Sequence, residues 1–355
     1  MFYKTQKKLA VLISALATTC LLIVPGCGSD SSSDTTETLS TTTMALATTT
    51  TVAPTTTTVA PEPVEKPLIV VTTNILGDVV SKAVGELFDV ETIMPPGADP
   101  HVFQASAKQV DRMMKADLLV VNGANFEEGL LDVIKGAESD GVKVFEAMNS
   151  VDPLEDHDEE GHDDHEGHDD HHGHDHGGVD PHFFTDPGRM AQVVNQLSDF
   201  LVLNFPEIDG EDLVSHMADY SKKLTDLDSE VMQTLSSIPE SSRVLVTNHE
   251  VFAYFAESYD FKILGTIIPS PSTLSNASAK DLVDLAEEMK AEGVLAVFVD
   301  SSSSDALADA LAGELDGVAV VTLFSESLGP EDSAGSTYLD MVRTNSELIA
   351  SALTG

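Results

Sequence analysis

The stretch PLIVVTTNILGDVVSKAVG, residues 67–85, contains a run of apolar and β-branched residues followed by a helical repeat. Leu68 to Thr72 predicts a buried strand, and the pattern that begins at Ile75 predicts a helix. A strand that leads directly into a helix is a βα unit, the building block of parallel sheets that are covered by helices. This stretch therefore places the chain in the α/β class.

The same alternation recurs on both sides of one long helical segment. Before it the strand signals are DVETI, ADLLVVNG and KVFEA, and after it they are RVLVTN, KILGTI, LAVFVD and VAVVTL. The helical segment between them runs from about residue 211 to 238 without a strand signal. We predict two similar Rossmann-like α/β lobes with parallel sheets, joined by one long rigid helix. No G-x-G-x-x-G or phosphate loop opens a helix, so nucleotide binding has no support.

A targeting segment and a tether are predicted ahead of the folded part. A basic start and an apolar stretch lead to VPGCGS, in which Cys27 resembles the lipidated cysteine of bacterial lipoproteins. The alternative is a simple secretory signal that is cleaved nearby. The Thr-, Ser- and Pro-rich composition that follows predicts a disordered tether. The predicted segments are a signal peptide 1–27, a tether 28–66, an N-terminal lobe 67–205 with a disordered His/Asp-rich loop 152–178, a linker helix 206–240 and a C-terminal lobe 241–355.

Charge and cysteine content limit the possible ligands. The chain has 18 basic and 60 acidic residues and a formal charge of −42. This balance argues against nucleic acid as a partner, because phosphate binding needs clustered Lys and Arg, and it is compatible with cation binding. Cys20 would leave with the signal and Cys27 would carry lipid. A metal site in the mature protein would therefore use nitrogen and oxygen ligands.

Three histidines lie in loops or at the ends of predicted strands, where ligands bind in open α/β sheets. His101 follows PPGADP, His182 follows VDP, and His249 follows the strand VLVTN. A comparable loop after VAVVTLF offers Glu326. Three imidazoles and one carboxylate form a good tetrahedral set for zinc, with bonds of roughly 2.0 to 2.2 Å. A fourth histidine, His216, lies within the long helical pattern and is interpreted as a surface residue.

The stretches NILGDVV, PPGADPHVF, LLVVNGANFEEGL, DPHFFTDP, TNHEVFAYFAESYDF, VFVDSS and TYLDMVRTN give the folded region a specific resemblance. It resembles the metal-ion group (cluster A-I) of ABC-transporter solute-binding proteins, chiefly its zinc-binding members. The resemblance implies two α/β lobes linked by a long helix, a metal in the cleft between them, and His101, His182 and His249 as ligands. Glu326 stands where the family often has Asp, and water fills that position in some zinc-type relatives.

The third ligand position helps to choose the metal. Manganese-type relatives have Glu there and zinc-type relatives have His, so His249 favours zinc over the harder manganese ion. Asp300 in VFVDSS is interpreted either as a carboxylate that orients a ligating histidine or as a loop residue facing water. The resemblance further implies a monomeric extracytoplasmic receptor, lipid-anchored to the membrane, that hands Zn²⁺ to an ABC permease with its ATPase and performs no chemical turnover.

The run HDEEGHDDHEGHDDHHGHDH contains no apolar side chain and cannot build a core. Similar insertions occur in zinc-binding members of the family, and we expect an accessory that binds zinc weakly near the main site. Its histidines are His157, His162, His165, His168, His171, His172, His174 and His176.

Two other functions remain open from the sequence. A secreted zinc-dependent hydrolase would use the three histidines with an open water position, but no HExxH helix or Gly-x-Ser-x-Gly elbow supports it. A surface zinc store or adhesin would be built around the histidine run. A store would show no docking to a permease.

Overall fold

The strands and helices alternate along most of the chain. A computed structural model describes residues 66–154 and 178–354. Its strands are β1 Leu68–Val71, β2 Asp89–Thr92, β3 Leu118–Val121, β4 Lys143–Glu146, β5 Val244–Thr247, β6 Lys262–Thr266, β7 Ala296–Asp300 and β8 Ala319–Leu323. Its α-helices are α1 Asn74–Val84, α2 Ala107–Met114, α3 Leu131–Ser139, α4 Pro187–Asn204, α5 Gly210–Leu235, α6 Ala253–Tyr259, α7 Ala279–Glu292, α8 Ala306–Gly313 and α9 Tyr338–Thr354.

The strands form two sheets with the same topology. The first sheet has the order β2-β1-β3-β4 and the second has the order β6-β5-β7-β8. Every pairing is parallel. We call the part built on β1–β4 the first lobe and the part built on β5–β8 the second lobe. The predicted fold class, two α/β lobes with parallel sheets, is confirmed.

The opening βα unit forms as its sequence pattern predicts. Ile69, Val70 and Val71 are completely buried in the sheet. The side chain of Thr73 caps α1 by accepting a hydrogen bond from the N–H group of Leu76, at 3.3 Å. A Cβ atom on Gly77 would lie 2.2 Å from the Thr92 hydroxyl, so only glycine lets α1 pack this close to β2.

Two long helices connect the lobes. Asp186 caps α4 by accepting hydrogen bonds from the N–H groups of Gly188 and Arg189, and Pro187 occupies the first helical position. Helix α5 has 26 residues and packs against α4, α9 and α1. The helix ends at Leu235 rather than at about the predicted residue 238, because a helical Pro239 would lack an N–H donor and its ring would clash with the carbonyl of Leu235.

One helix of the first lobe begins later than its sequence pattern predicts. FEEGLLDVIKGA is helical only from Leu131, and a 3₁₀ turn precedes it at Glu128–Leu130. The buried carboxylate of Glu127 accepts a hydrogen bond from the N–H group of Asn122 at 2.6 Å, which folds the chain into a tight turn instead of a helix. This turn carries residues of the candidate site.

The predicted signal peptide, Cys27, nearly all of the tether and all eight clustered histidines lie outside the described residues. The segment boundaries therefore remain predictions. Among the described helices, none combines the length and apolar character needed to cross a bilayer.

Candidate metal centre

Four predicted residues come from four loops that follow parallel strands. His101 lies in the loop after β2, and His182 immediately precedes a 3₁₀ turn that leads into α4. His249 lies two residues beyond the end of β5, and Glu326 lies three residues beyond the end of β8. Each lobe thus contributes two of the four side chains.

The structure brings these four side chains together. His101, His182, His249 and Glu326 are all buried, and one donor atom from each lies within 4.8 Å of the others. The Nε2 atoms of His101 and His182 are each 3.4 Å from a Glu326 carboxylate oxygen, and Nε2 of His249 is 3.2 Å from one. These contacts are not aligned as hydrogen bonds, and the facing nitrogen and oxygen atoms have no hydrogen-bond partner within residues 66–154 and 178–354.

The spacing fits a tetrahedral cation. Zinc bonds of roughly 2.0 to 2.2 Å in a tetrahedral arrangement separate neighbouring ligand atoms by about 3.4 Å. The three nitrogen–oxygen separations of 3.2 to 3.4 Å are close to this value, with His182 and His249 facing Oε1 of Glu326 and His101 facing Oε2. Buried polar atoms without partners are costly, and a cation at their centre would satisfy all of them at once.

Carboxylates orient two of the three imidazoles. Nδ1 of His182 is 2.7 Å from the carboxylate of Asp180, and Nδ1 of His101 is 3.2 Å from that of Glu128. In the tautomer that donates from Nδ1, the lone pair of Nε2 points at the site, as a metal ligand requires. Nδ1 of His249 is buried without a hydrogen-bond partner among the described residues.

A strained turn presents an aromatic wall to the site. Ala124 and Asn125 both adopt positive φ angles, of 49° and 60°. The turn places the Phe126 ring edge-on to His101 at 5.1 Å and to His182 at 5.5 Å between ring centroids. Burial raises the pKa of the neighbouring Glu127 carboxyl despite its hydrogen bonds from Thr72 and backbone N–H groups. Because its ring packs against both imidazoles, Phe126 covers one side of each of them.

Asp300 supports the fourth candidate ligand rather than a histidine. Its carboxylate accepts hydrogen bonds from the N–H groups of Ser325 and Glu326, both at 2.9 Å, and from the Ser325 hydroxyl. Asp300 is 1% exposed, so the suggestion that it faces water is wrong, and its described hydrogen bonds reach no histidine. The reason is sheet register, since Asp300 pairs with Leu323 in β8 and so lies beside the Glu326 loop.

The site is electrostatically poised for a cation. Burial acts to raise the pKa of Glu326, but the adjacent His182 and His249, with further contacts from His101, hold it well below its usual value. Burial acts to lower the pKa of His101, but the contact with Glu326 and the charges of Glu326, Asp99 and Glu128 raise it above its ordinary value. The Glu326 carboxylate therefore favours positive charge at His101, as it would favour a metal ion.

Two of the orienting residues were not among the sequence predictions. Asp180 had a readable signal, because the tripeptide Asp-Pro-His occurs at both 99–101 and 180–182. Glu128 had none, since its contact with His101 depends on the turn before α3. The side chain of His216 is 46% exposed on α5. It contacts Asp212 of the same helix and does not belong to the four-residue cluster.

The family of zinc-uptake complex component A, periplasmic (ZnuA), matches residues 69–352 of the chain. The chain belongs to this family. Membership in the ZnuA family confirms the resemblance to metal-ion solute-binding proteins that the sequence motifs indicated.

Curated relatives cover most of the chain. It is 29% identical over 293 residues to the zinc-binding protein TroA of Treponema pallidum, an alignment that spans 81% of this chain and 89% of TroA. It is 27% identical over 290 residues to the manganese-binding lipoprotein MntA of Halalkalibacterium halodurans, spanning 80% and 88%. The solved structure of periplasmic zinc-binding TroA from Treponema pallidum matches with a TM-score of 0.69 at 27% identity, over 82% of this chain and all of that one. Relatives of this ZnuA-family chain are thus named for both zinc and manganese.

Proposed function

We propose that this protein is an extracytoplasmic receptor that captures Zn²⁺ between its lobes and delivers it to an ABC permease with its ATPase. The observation that carries the proposal is the buried cluster of three imidazoles and one carboxylate, with two ligands from each lobe. Names such as zinc-binding TroA and manganese-binding lipoprotein MntA, among relatives that cover most of the chain, support a metal cargo.

Zinc is favoured over manganese by the donor set. His101, His182 and His249 provide three nitrogen donors against one carboxylate from Glu326. Imidazole suits zinc, whereas manganese prefers carboxylate, carbonyl and water oxygen. Four nitrogen and oxygen ligands around one ion also suit zinc, which is almost always tetrahedral in closed protein sites.

Capture without turnover is favoured over zinc-dependent hydrolysis. A catalytic zinc site keeps one coordination position open for water or substrate. Here the Glu326 carboxylate, in a residue 2% exposed, faces all three imidazoles and would take the fourth position. All four residues are buried, so a substrate would reach an ion between them only if the lobes separated.

We place the receptor outside the cytoplasm as a monomer, tethered to the membrane by lipid on Cys27. Relatives named as lipoproteins, including MntA, support this location. The eight-histidine run would collect zinc weakly and raise its concentration near the main site. Deleting residues 156–177 should remove several weak sites in a calorimetric titration and keep the tight one, and loss of the tight site would contradict the accessory role.

The central test is zinc titration of the purified protein and of His101→Ala, His182→Ala and His249→Ala. Each variant should lose the tight site, because a buried tetrahedral ion cannot replace a missing ligand with a protein group. His216→Ala is the matched control and should bind like the wild type. Undiminished tight binding in all three ligand variants would refute the site.

Measuring zinc uptake by cells distinguishes a receptor from a surface zinc store. A receptor requires that cells lacking the gene accumulate less zinc at limiting supply, and that uptake return with the wild-type gene but not with His249→Ala. A store built on the histidine run would instead lose function when residues 156–177 are deleted and keep it in His249→Ala.

A further inference from the structure

One loop of the second lobe reaches across the cleft to the residues that hold His101. We call residues 268–277 the latch loop. The hydroxyl of Ser272 donates a short hydrogen bond to the Glu128 carboxylate, and the hydroxyl of Thr273 donates to the Asp99 carboxylate at 2.8 Å. Both acceptors belong to the first lobe, and both contact His101.

The two acceptors hold His101 at two points. Glu128 lies 3.2 Å from Nδ1 of the ring, through the same oxygen that accepts from Ser272. Asp99 accepts a hydrogen bond from the backbone N–H group of His101 at 2.9 Å. The latch loop therefore acts on both the ring and the backbone of one candidate ligand, although it touches neither directly.

Hydrogen bonds within the second lobe orient the latch loop so that its hydroxyl groups donate to the first lobe. The Ser272 oxygen accepts a hydrogen bond from the N–H group of Leu274 at 3.2 Å, which leaves its proton free to point at Glu128. The N–H group of Glu250, next to His249, donates to the Ser270 carbonyl at 3.1 Å. The loop thus joins the neighbour of a second-lobe ligand to the supports of a first-lobe ligand.

A cavity of about 300 Å³ borders this contact. Asp99 and Val102 line it from the first lobe, and Asn248 and Thr273 line it from the second. Water in this cavity would compete for the Asp99 carboxylate once the Thr273 hydroxyl withdrew. Separation of the lobes would also leave Glu128, the partner of the His101 ring, without its hydrogen bond from the second lobe.

We propose that Ser272 and Thr273 are positioning residues that slow metal release by fixing Glu128 and Asp99, and through them His101, from the opposite lobe. This inference rests on the proposed function. It assigns His101 as the ligand whose orientation depends on lobe closure and which therefore leaves the ion first.

The test compares metal dissociation rates of zinc-loaded full-length protein mixed with excess chelator in a stopped-flow instrument. Ser272→Ala with Thr273→Val should release zinc about tenfold faster, since each hydrogen bond contributes about 0.5–1.5 kcal/mol. Ser275→Ala is the matched control, because that hydroxyl donates within the loop to Ser270, and it should release zinc at the wild-type rate. Ser272→Thr retains the hydroxyl and should restore slow release.

A mutant cycle separates positioning from general loop damage. In a Glu128→Ala background, Ser272→Ala should accelerate release no further, because the hydroxyl acts through that carboxylate. The cobalt-loaded latch variant should keep the wild-type visible absorption, since all four ligands remain. Equal release rates in the wild type and the double variant, equal acceleration by Ser275→Ala, or additive effects in the cycle would each overturn the proposal. A wild type that binds no zinc would instead overturn the proposed function.

Discussion

The tripeptide Asp-Pro-His occurs twice, at 99–101 and 180–182, and the two copies hold their histidines differently. In both, the aspartate accepts a hydrogen bond from the histidine N–H group at 2.9 Å. In the second copy the same carboxylate also contacts the ring, 2.7 Å from Nδ1 of His182. In the first copy the ring partner is Glu128, and Asp99 instead accepts from Thr273 of the other lobe.

The difference assigns separate roles to identical sequences. His182 keeps its orienting carboxylate whether the lobes are together or apart, because Asp180 is only two residues away in the chain. A cross-lobe contact does reach this copy, from the Tyr254 hydroxyl, but it ends on the Asp180 backbone carbonyl at 2.8 Å. The ring of His101 contacts Glu128, which accepts a hydrogen bond from Ser272 of the second lobe. One copy is a fixed support and the other responds to closure.

Phe126 touches both copies, so its removal should have the largest effect. Phe126→Ala is expected to lower the free energy of unfolding by about 3–5 kcal/mol and to weaken zinc binding, because both rings lose their wall. Phe205→Ala, which removes an equally buried ring packed on Phe88, is the control. It should lose comparable stability in denaturant unfolding and keep zinc affinity. Equal zinc affinity in both variants would show that the wall is dispensable.

Matched substitutions in the two copies come next. Asp180→Asn should weaken zinc binding by about 10–100-fold, the usual cost of removing a carboxylate that orients a ligating histidine. Asp99→Asn should weaken it by about fivefold or less, because Asp99 holds the backbone of His101 rather than its ring and the amide oxygen of asparagine can still accept these hydrogen bonds. Competition titration against a chelator of known affinity measures both. If the two variants are equally weak, the roles assigned to the two copies are wrong.

Zinc affinity should rise with pH by about tenfold per unit below the raised pKa of His101, because the metal must displace a proton from that ring. Protonation of His101 also stabilises the folded state, and this contribution to the free energy of unfolding changes with pH in the opposite direction. It is fully present below the unfolded pKa, roughly 6.5, and disappears as pH rises through the raised folded value. Glu326 remains ionised throughout this window, since its pKa is lowered. Thermal unfolding with and without zinc from pH 6 to 8 should therefore show a growing metal-induced shift, and a constant shift would contradict the proton competition.

The smallest effect is expected at His216, which belongs to neither copy. Its Nδ1 atom lies 2.9 Å from the Asp212 carbonyl oxygen, and its side chain is 46% exposed on α5. His216→Ala should change the free energy of unfolding by no more than about 0.5 kcal/mol and leave zinc affinity unchanged. A measurable loss of affinity would mean that a histidine outside the cluster takes part in binding.

The sequence was sufficient for the fold class and for the location of the candidate ligands. Imidazoles at the carboxyl ends of parallel strands meet at one edge of each sheet, so His249 and Glu326 could be placed from strand patterns alone. The partners of these residues could not. Ser272 and Glu128 are 144 residues apart, and their contact exists only after the two lobes have docked. Asp300 was interpreted either as a carboxylate that orients a histidine or as a loop residue facing water, and only the register of β7 and β8 shows that it lies beside the Glu326 loop.

Each lobe supplies two of the four candidate ligands. A partly opened protein would therefore still hold its ion through the two ligands of one lobe, as a bidentate chelate. The two vacated coordination positions would then be available to donors on the receiving protein. The cargo could move by stepwise ligand exchange, and at no stage would it need to regain a full hydration shell.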